Sequence, residues 1–202
     1  MVIVGLTGNY GMGKSTAARM FRELGAIVID TDDIVRELLK DVSVIDEIKN
    51  AFGSEIIVDG SVDKKMLADA VFERSDFRIS LENILHPKVF DKINEFIRNS
   101  ELMNHNPKLF VIEAPVIFER GYQNRFDRIV TVFTSDEVAI SRLGEKGISE
   151  DNARKRLKSQ FPIEMKISKS DYTIDNGKDI ENTRRQVEET YRILMAGISK
   201  QN

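Results

Sequence analysis

Gly8-Asn9-Tyr10-Gly11-Met12-Gly13-Lys14-Ser15-Thr16 matches G-x-x-x-x-G-K-[ST] without a gap. It follows the apolar run Val2-Ile3-Val4-Gly5-Leu6, and a helix-like run from Ser15 to Leu24 comes after it, which is the setting that the motif requires. Glycines at 8, 11 and 13 let the backbone turn tightly enough for successive N–H groups to point inward. A helix beginning near Lys14 adds its positive end to the same spot. A polyphosphate suits such a cradle. Gly11, Met12, Gly13, Lys14, Ser15 and Thr16 are the expected phosphate-binding residues. Lys14 reaches the β- and γ-phosphates, the Ser15 hydroxyl ligates Mg²⁺, and Thr16 stands one residue further into the same turn.

Three further sets of residues could do chemistry. Asp30-Thr31-Asp32-Asp33 puts three carboxylates after the apolar run Ala26-Ile27-Val28-Ile29, at the carboxyl end of a strand, the edge where ligands bind in open α/β sheets. At least one is expected to face the phosphates. The competing reading makes Thr31 or Asp32 the cap of a helix starting at Ile34. Glu113 closes the run Leu109-Phe110-Val111-Ile112, a position from which a carboxylate holds Mg²⁺ through water, so it is a metal candidate after Ser15. Between Arg142 and Ser170, eight basic residues (Arg142, Lys146, Arg154, Lys155, Arg156, Lys158, Lys166, Lys169) stand against four acidic ones. That imbalance suits a lid over the triphosphate, with Gly144 and Gly147 joining its helices and Arg142 in the turn before them. A solvated helix face is the ordinary alternative for such a run.

The elements needed to hold these residues are legible. Runs at Ala26–Ile29, Leu109–Ile112, Ile129–Phe133 and Asp171–Ile174, with the opening strand, read as buried strands of a parallel sheet. From Ile34 to about Asn104 the spacing is helical, with a small hairpin at the Asp59-Gly60 turn and an interruption expected at His86-Pro87. A last helix from about Ile180 to Ile198 puts Val187, Tyr191, Leu194 and Ile198 on one stripe. The expectation is a single domain. Residues 1–33 and 105–202 form its nucleotide-binding core, residues 34–104 a helical substrate-binding insert, and residues 139–170 the lid. His86 and His105 are assigned no chemistry.

Composition narrows the partners. A net charge of −3 on 202 residues lacks the basic excess of a dedicated nucleic-acid binder. The chain has no cysteine, which excludes disulfides, thiolate metal sites and a thiol nucleophile. Met1 leads almost directly into a strand, and no window approaches the ~18 apolar residues of a membrane span. A cytoplasmic protein, monomeric or weakly self-associating, with no membrane or nucleic-acid partner, is expected.

In this order the motifs resemble the dephospho-coenzyme A kinase family along nearly the whole chain. The residues that carry the likeness are Gly5 to Thr16, Leu24-Gly25 followed by Val28-Ile29-Asp30-Thr31-Asp32, and Phe52-Gly53 with Asp59-Gly60. Ile84-Leu85-His86-Pro87, Ala114-Pro115-Val116-Ile117-Phe118-Glu119, Gln160 and Ile174-Asp175-Asn176 complete the set. The resemblance implies an α/β fold like that of nucleoside-monophosphate kinases, a parallel sheet flanked by helices with a helical insert and a basic lid. It implies transfer of the γ-phosphoryl of ATP·Mg²⁺ to the ribose 3′-hydroxyl of dephospho-coenzyme A. It further implies that Asp32 is the catalytic base, that Arg142 contacts ATP phosphates, and that Asn176 and Gly177 lie near adenine. Lys64 or Lys65, and Lys146, stand where the family usually has arginine, and Ala139 near where it often has glutamine; lysine keeps the charge but loses the planar fork.

Two other functions compete. A kinase of a nucleoside monophosphate or sugar acid would share loop, insert and lid, but not the D-x-D, His-Pro and Pro…Glu combination. A GTP-dependent switch needs D-x-x-G and N-K-x-D, and Asn176-Gly177-Lys178-Asp179 has glycine in the lysine position.

Overall fold

The apolar run Val2–Leu6, with Thr7 after it, forms the central strand of the sheet. In the computed structural model, which describes residues 1–102 and 108–199 without the side chains of 72, 73, 75, 101, 102, 198 and 199, two units separate. One comprises Met1–Asp30 with His105–Asn202, the other Thr31–Asn104. His105 and the side chain of Ile198, both named above, lie outside the described residues.

The elements run in the order β1 (Val2–Thr7), α1 (Lys14–Glu23), β2 (Ile27–Asp30), α2 (Thr31–Leu38), α3 (Val42–Phe52), β3 (Ile57–Val58), β4 (Ser61–Val62), α4 (Lys64–Glu73) and α5 (Ser75–Leu102). Then come β5 (Leu109–Glu113), β6 (Arg128–Phe133), α6 (Asp136–Glu145), α7 (Glu150–Lys158), α8 (Ile163–Lys169), β7 (Tyr172–Asp175) and α9 (Ile180–Ser199).

In the first unit β2, β5, β1, β6 and β7 lie side by side in that order, every neighbouring pair parallel. This is the α/β sheet flanked by helices expected from the sequence. Because β1 has β5 on one side and β6 on the other, its carboxyl end opens at the place where the strand order reverses, where such sheets bind ligands. All five residues of β5 are buried, since helices cover both faces of a parallel sheet. On one face Ala17, Ala18, Met20 and Phe21 of α1 pack with Val187 and Leu194 of α9 over Val4, Leu6, Val111, Val130 and Ile174.

Glu23, at the end of α1, ties that helix to α9. It accepts from Arg184 Nη1 at 2.9 Å and from Arg19 Nη1 at 2.7 Å. The hydrogen bond from Arg184, ahead of the attraction of Arg19, holds its carboxyl below the ordinary glutamate value of about 4.3. A depressed carboxyl stabilises the fold above that ordinary value and loses its contribution as pH falls through the lowered one. Glu23→Gln should therefore lower the urea midpoint at pH 7, and the gap to the parent should close below about pH 4 in urea titrations run across pH.

In the second unit α2, α3 and α4 pack on α5. Phe52 of α3 meets Phe77 of α5 edge to face at 5.1 Å. The Asp59-Gly60 turn closes the hairpin, Ile57 pairing with Val62. Two expectations are corrected here. Helix α5 runs through His86-Pro87 without a break. Proline forfeits one helical hydrogen bond and crowds the preceding turn, costing about 3 kcal/mol. Leu85, Val89, Ile93 and Ile97 are all buried along the helix, each worth about 1.5–3 kcal/mol, and together they outweigh that loss. Phe96, next to Ile97 in the chain, is exposed. Helix α2 begins at Thr31, directly after β2, so Thr31 and Asp32 lie inside its first turn and do not cap a helix starting at Ile34. Among the described residues no helix is long and apolar enough to cross a membrane.

Candidate active site

The loop between β1 and α1 is shaped by what its glycines permit. Gly8 has φ 146° and lies so close to Val132 O that a side chain there would meet the carbonyl at 2.2 Å. Gly13, at φ 93°, leads into α1, and a side chain there would strike Asn176 Nδ2 at 1.9 Å. Only glycine combines this handedness with this closeness. Past Gly13 the amides of the first turn of α1 have no acceptor within the helix, so the turn presents donors and the positive end of the helix dipole to the mouth of the loop. The Thr16 amide has turned onto Gly13 O at 3.1 Å.

Side chains from distant elements brace the loop. Asn176, after β7, is buried; its Nδ2 donates to Met12 O at 3.0 Å and its Oδ1 accepts from Thr183 Oγ1 at 2.9 Å. Its side-chain amide is thus spent on holding the loop. Gly177 is exposed, its amide turned to Asp175 Oδ1. Met12 is fully buried with Ala139 and Leu157, and its amide donates to Asn9 O at 3.3 Å, so the residue serves to hold the loop's shape. The amide of Tyr10 donates to Gln160 Oε1 at 2.8 Å, and Asn9 Nδ2 to Phe161 O at 3.0 Å.

Charged groups gather at the loop's mouth. Lys14 Nζ reaches back over the loop to Gly8 O at 3.0 Å and Asn9 O at 3.2 Å. Ser15 Oγ donates to Glu113 Oε1 at 2.8 Å, across the end of the sheet. Arg142 Nη2 donates to Asn176 O at 2.9 Å, while its Nη1 is buried with no hydrogen-bond partner among the described residues and lies 3.8 Å from where a side chain on Gly13 would project. A buried arginine nitrogen with no partner beside this loop is a donor available to an anion. Lys14, Ser15, Glu113, Arg142, Gly13 and Asn176 are therefore brought together. Asp32 belongs to the other unit; it follows Asp30 by two residues, and Asp30 pairs in register with Glu113.

A hydroxyl and a carboxylate in contact at the end of the sheet fit a magnesium ion that takes its remaining ligands from phosphate oxygens and water. Among the described residues no group of three or more His, Asp or Glu could hold an ion unaided.

The basic run is less uniform than its composition suggests. Arg142 lies in the last turn of α6, not in a turn before the glycines, and Gly144 is inside that helix. Arg156 donates to Tyr10 Oη at 2.7 Å and stacks 4.8 Å from its ring. Lys166, read as one more lid cation, is fully buried: its Nζ lies 2.7 Å from Glu119 Oε1 and donates to Pro115 O at 2.9 Å. Burial lowers the Lys166 pKa, and Glu119 acts against that shift. Sequence reasoning missed this pair because a lysine among surface lysines carries no local signal of burial.

Residues 2–182 match the family model described as dephospho-CoA kinase. A relative so named from Aquifex aeolicus is 38% identical over 193 residues, covering 95% of this chain and 96% of its own. Among solved structures, a protein from Thermus thermophilus superposes with a TM-score of 0.81 at 28% identity, covering 97% of both chains. The dephospho-CoA kinase from Campylobacter jejuni superposes with a TM-score of 0.69 at 28% identity, covering 96% of this chain and 98% of that one.

Proposed function

The chain belongs to the dephospho-CoA kinase family, and from that membership we propose how its own residues carry out the transfer. The reaction is the ATP-dependent phosphorylation of dephospho-CoA, the final step of coenzyme A synthesis. The acceptor atom in this reading is the ribose 3′-hydroxyl.

The loop amides and the first turn of α1 cradle the β- and γ-phosphates, and Lys14 exchanges the carbonyls of Gly8 and Asn9 for phosphate oxygens. Arg142 offers its buried Nη1 to the group in transit. Ser15 and Glu113 would hold Mg²⁺, which would neutralise charge on the phosphates. Asp32 orients the acceptor hydroxyl and takes its proton. Chain connectivity supports this role: two peptide steps keep Asp32 within about 7.6 Å of Asp30, measured between Cα atoms, and Asp30 is the register partner of Glu113. Asn176 braces the loop beneath the phosphates, with Gly177 beside it toward adenine. Residues 139–170 act as the lid and residues 34–104 as the acceptor-binding insert. Closing the lid excludes water, which would otherwise compete for the phosphoryl group.

The observation that carries this reading is the braced loop with Ser15 and Glu113 in contact 2.8 Å apart. In this reading the enzyme is cytoplasmic, monomeric or weakly self-associating, with no nucleic-acid or membrane partner; its net charge of −3 lacks the basic excess of a nucleic-acid binder, and its lack of cysteine suits a reducing compartment. The test measures ADP release from ATP·Mg²⁺ with and without dephospho-CoA, and the position of the new phosphate in the product. Release that depends on dephospho-CoA and yields a 3′-phosphorylated product is expected. Equal release with a nucleoside monophosphate or a sugar acid would move the chain to another acceptor.

A further inference from the structure

Lys166 is one of the largest fully buried side chains in the molecule. A buried ammonium needs partners, and those of Lys166 are Glu119 Oε1 at 2.7 Å and Pro115 O at 2.9 Å, both in the turn that follows β5. The contacts continue outward in two directions. Pro115 O also accepts from Thr7 Oγ1 at 3.3 Å, at the end of β1. Glu119 Oε1 also accepts the Phe161 amide at 3.1 Å; the Phe161 carbonyl takes Asn9 Nδ2, and Gln160 Oε1 takes the Tyr10 amide. The stretch from Gln160 to Lys166 thus grips the front of the phosphate loop and the turn that begins just after Glu113.

Stability alone is a poor reason for this arrangement, because an apolar pair of the same volume is often as stabilising as a buried ion pair. What an apolar pair lacks is the ability to hold two backbone groups, Pro115 O and Phe161 N–H, at fixed distances. Those groups adjoin the phosphate loop and the strand that ends in Glu113. At the other junction of the lid Gly147, at φ 80°, links α6 to α7 with open space where a side chain would project.

We propose that Lys166 and Glu119 are positioning residues for phosphoryl transfer. The buried pair pins the α8 arm of the lid to the phosphate loop through Gln160 and Phe161, so that this arm keeps its place when the lid closes. This rests on the phosphotransfer reading above. Its consequence is coupling: with the arm pinned, each ATP consumed yields one phosphorylated acceptor, and with it slack, water reaches the phosphoryl group.

Three variants test this below their melting temperatures: Lys166→Met, the double change Glu119→Leu with Lys166→Met, and Gln160→Leu, which removes the acceptor of the Tyr10 amide without touching the buried pair. The readouts are melting temperature, kcat, KM for ATP, and ADP released per acceptor phosphorylated. Lys166→Met is expected to melt lower, lose about ten- to a hundredfold in kcat and release excess ADP. The double variant should regain melting temperature while remaining slow and uncoupled, and Gln160→Leu should uncouple without melting early. If either charge variant cannot be purified folded, Gln160→Leu carries the test. Parental kcat and coupling in any folded variant, or full recovery of both in the double variant, overturns the proposal. Failure of the parent to phosphorylate dephospho-CoA would instead overturn the phosphotransfer reading itself.

Discussion

Lys14→Ala will lower phosphoryl transfer by about a thousandfold or more, with a much smaller loss of ATP binding. The asymmetry follows from where the loop's affinity resides. Backbone amides and the positive end of α1 make the anion cradle, and they are fixed by glycine geometry, by Asn176 on Met12 O and by Gln160 on the Tyr10 amide. None of these depends on the Lys14 ammonium. The ammonium spans the loop to Gly8 O and Asn9 O, so it can swing onto phosphate oxygens without moving the backbone. Charge gathers on those oxygens most strongly as the γ-phosphoryl departs, and a cation placed there acts chiefly on the transition state. Single-turnover rates at saturating ATP, beside the dissociation constant for a non-hydrolysable analogue, measure the two effects separately. A loss confined to binding, with the rate intact once ATP is saturating, would show that Lys14 acts only in the ground state. A melting curve accompanies the experiment, because the same substitution removes two hydrogen bonds from the loop.

The reach of the sequence is visible in which of these partners it reveals. Lys14 and Ser15 are legible because the loop's chemistry is contiguous: glycines, lysine and hydroxyl lie within nine residues, and a strand and a helix flank them. Glu113 is legible through its place at the end of an apolar run. The five parallel strands and the Asp-Gly hairpin follow from local pattern in the same way. What local pattern misses is decided by packing at long range. Asn176 braces Met12 from far along the chain, and Lys166 meets Glu119 on a different element. Pro87 illustrates the converse: its local signal breaks a helix, and the buried stripe of α5 overrides it. Arg142 was singled out by charge, but that its guanidinium lies against Asn176 O with one nitrogen left over depends on α6 meeting the turn after β7.

Asp32→Asn is the second substitution with a large expected effect, about 10²–10⁴-fold in kcat, with KM for ATP nearly unchanged. Three carboxylates compete for the role of base, and their surroundings separate them. Asp30 ends β2, inside the sheet register opposite Glu113, where its backbone belongs to the strand ladder. Asp33 forms an ion pair with Arg36 one helical turn on, and both are exposed. Asp32 stands between them in sequence, in the first turn of α2. Asparagine preserves size and hydrogen bonding and removes only the capacity to take a proton, so it isolates base catalysis from positioning. If Asp32 accepts the proton, the variant binds ATP and dephospho-CoA as the parent does and turns over slowly at every pH. If its kcat stays near the parental value, the role passes to Asp30 or Asp33, and Asp30→Asn and Asp33→Asn decide between them by the same comparison of kcat with KM.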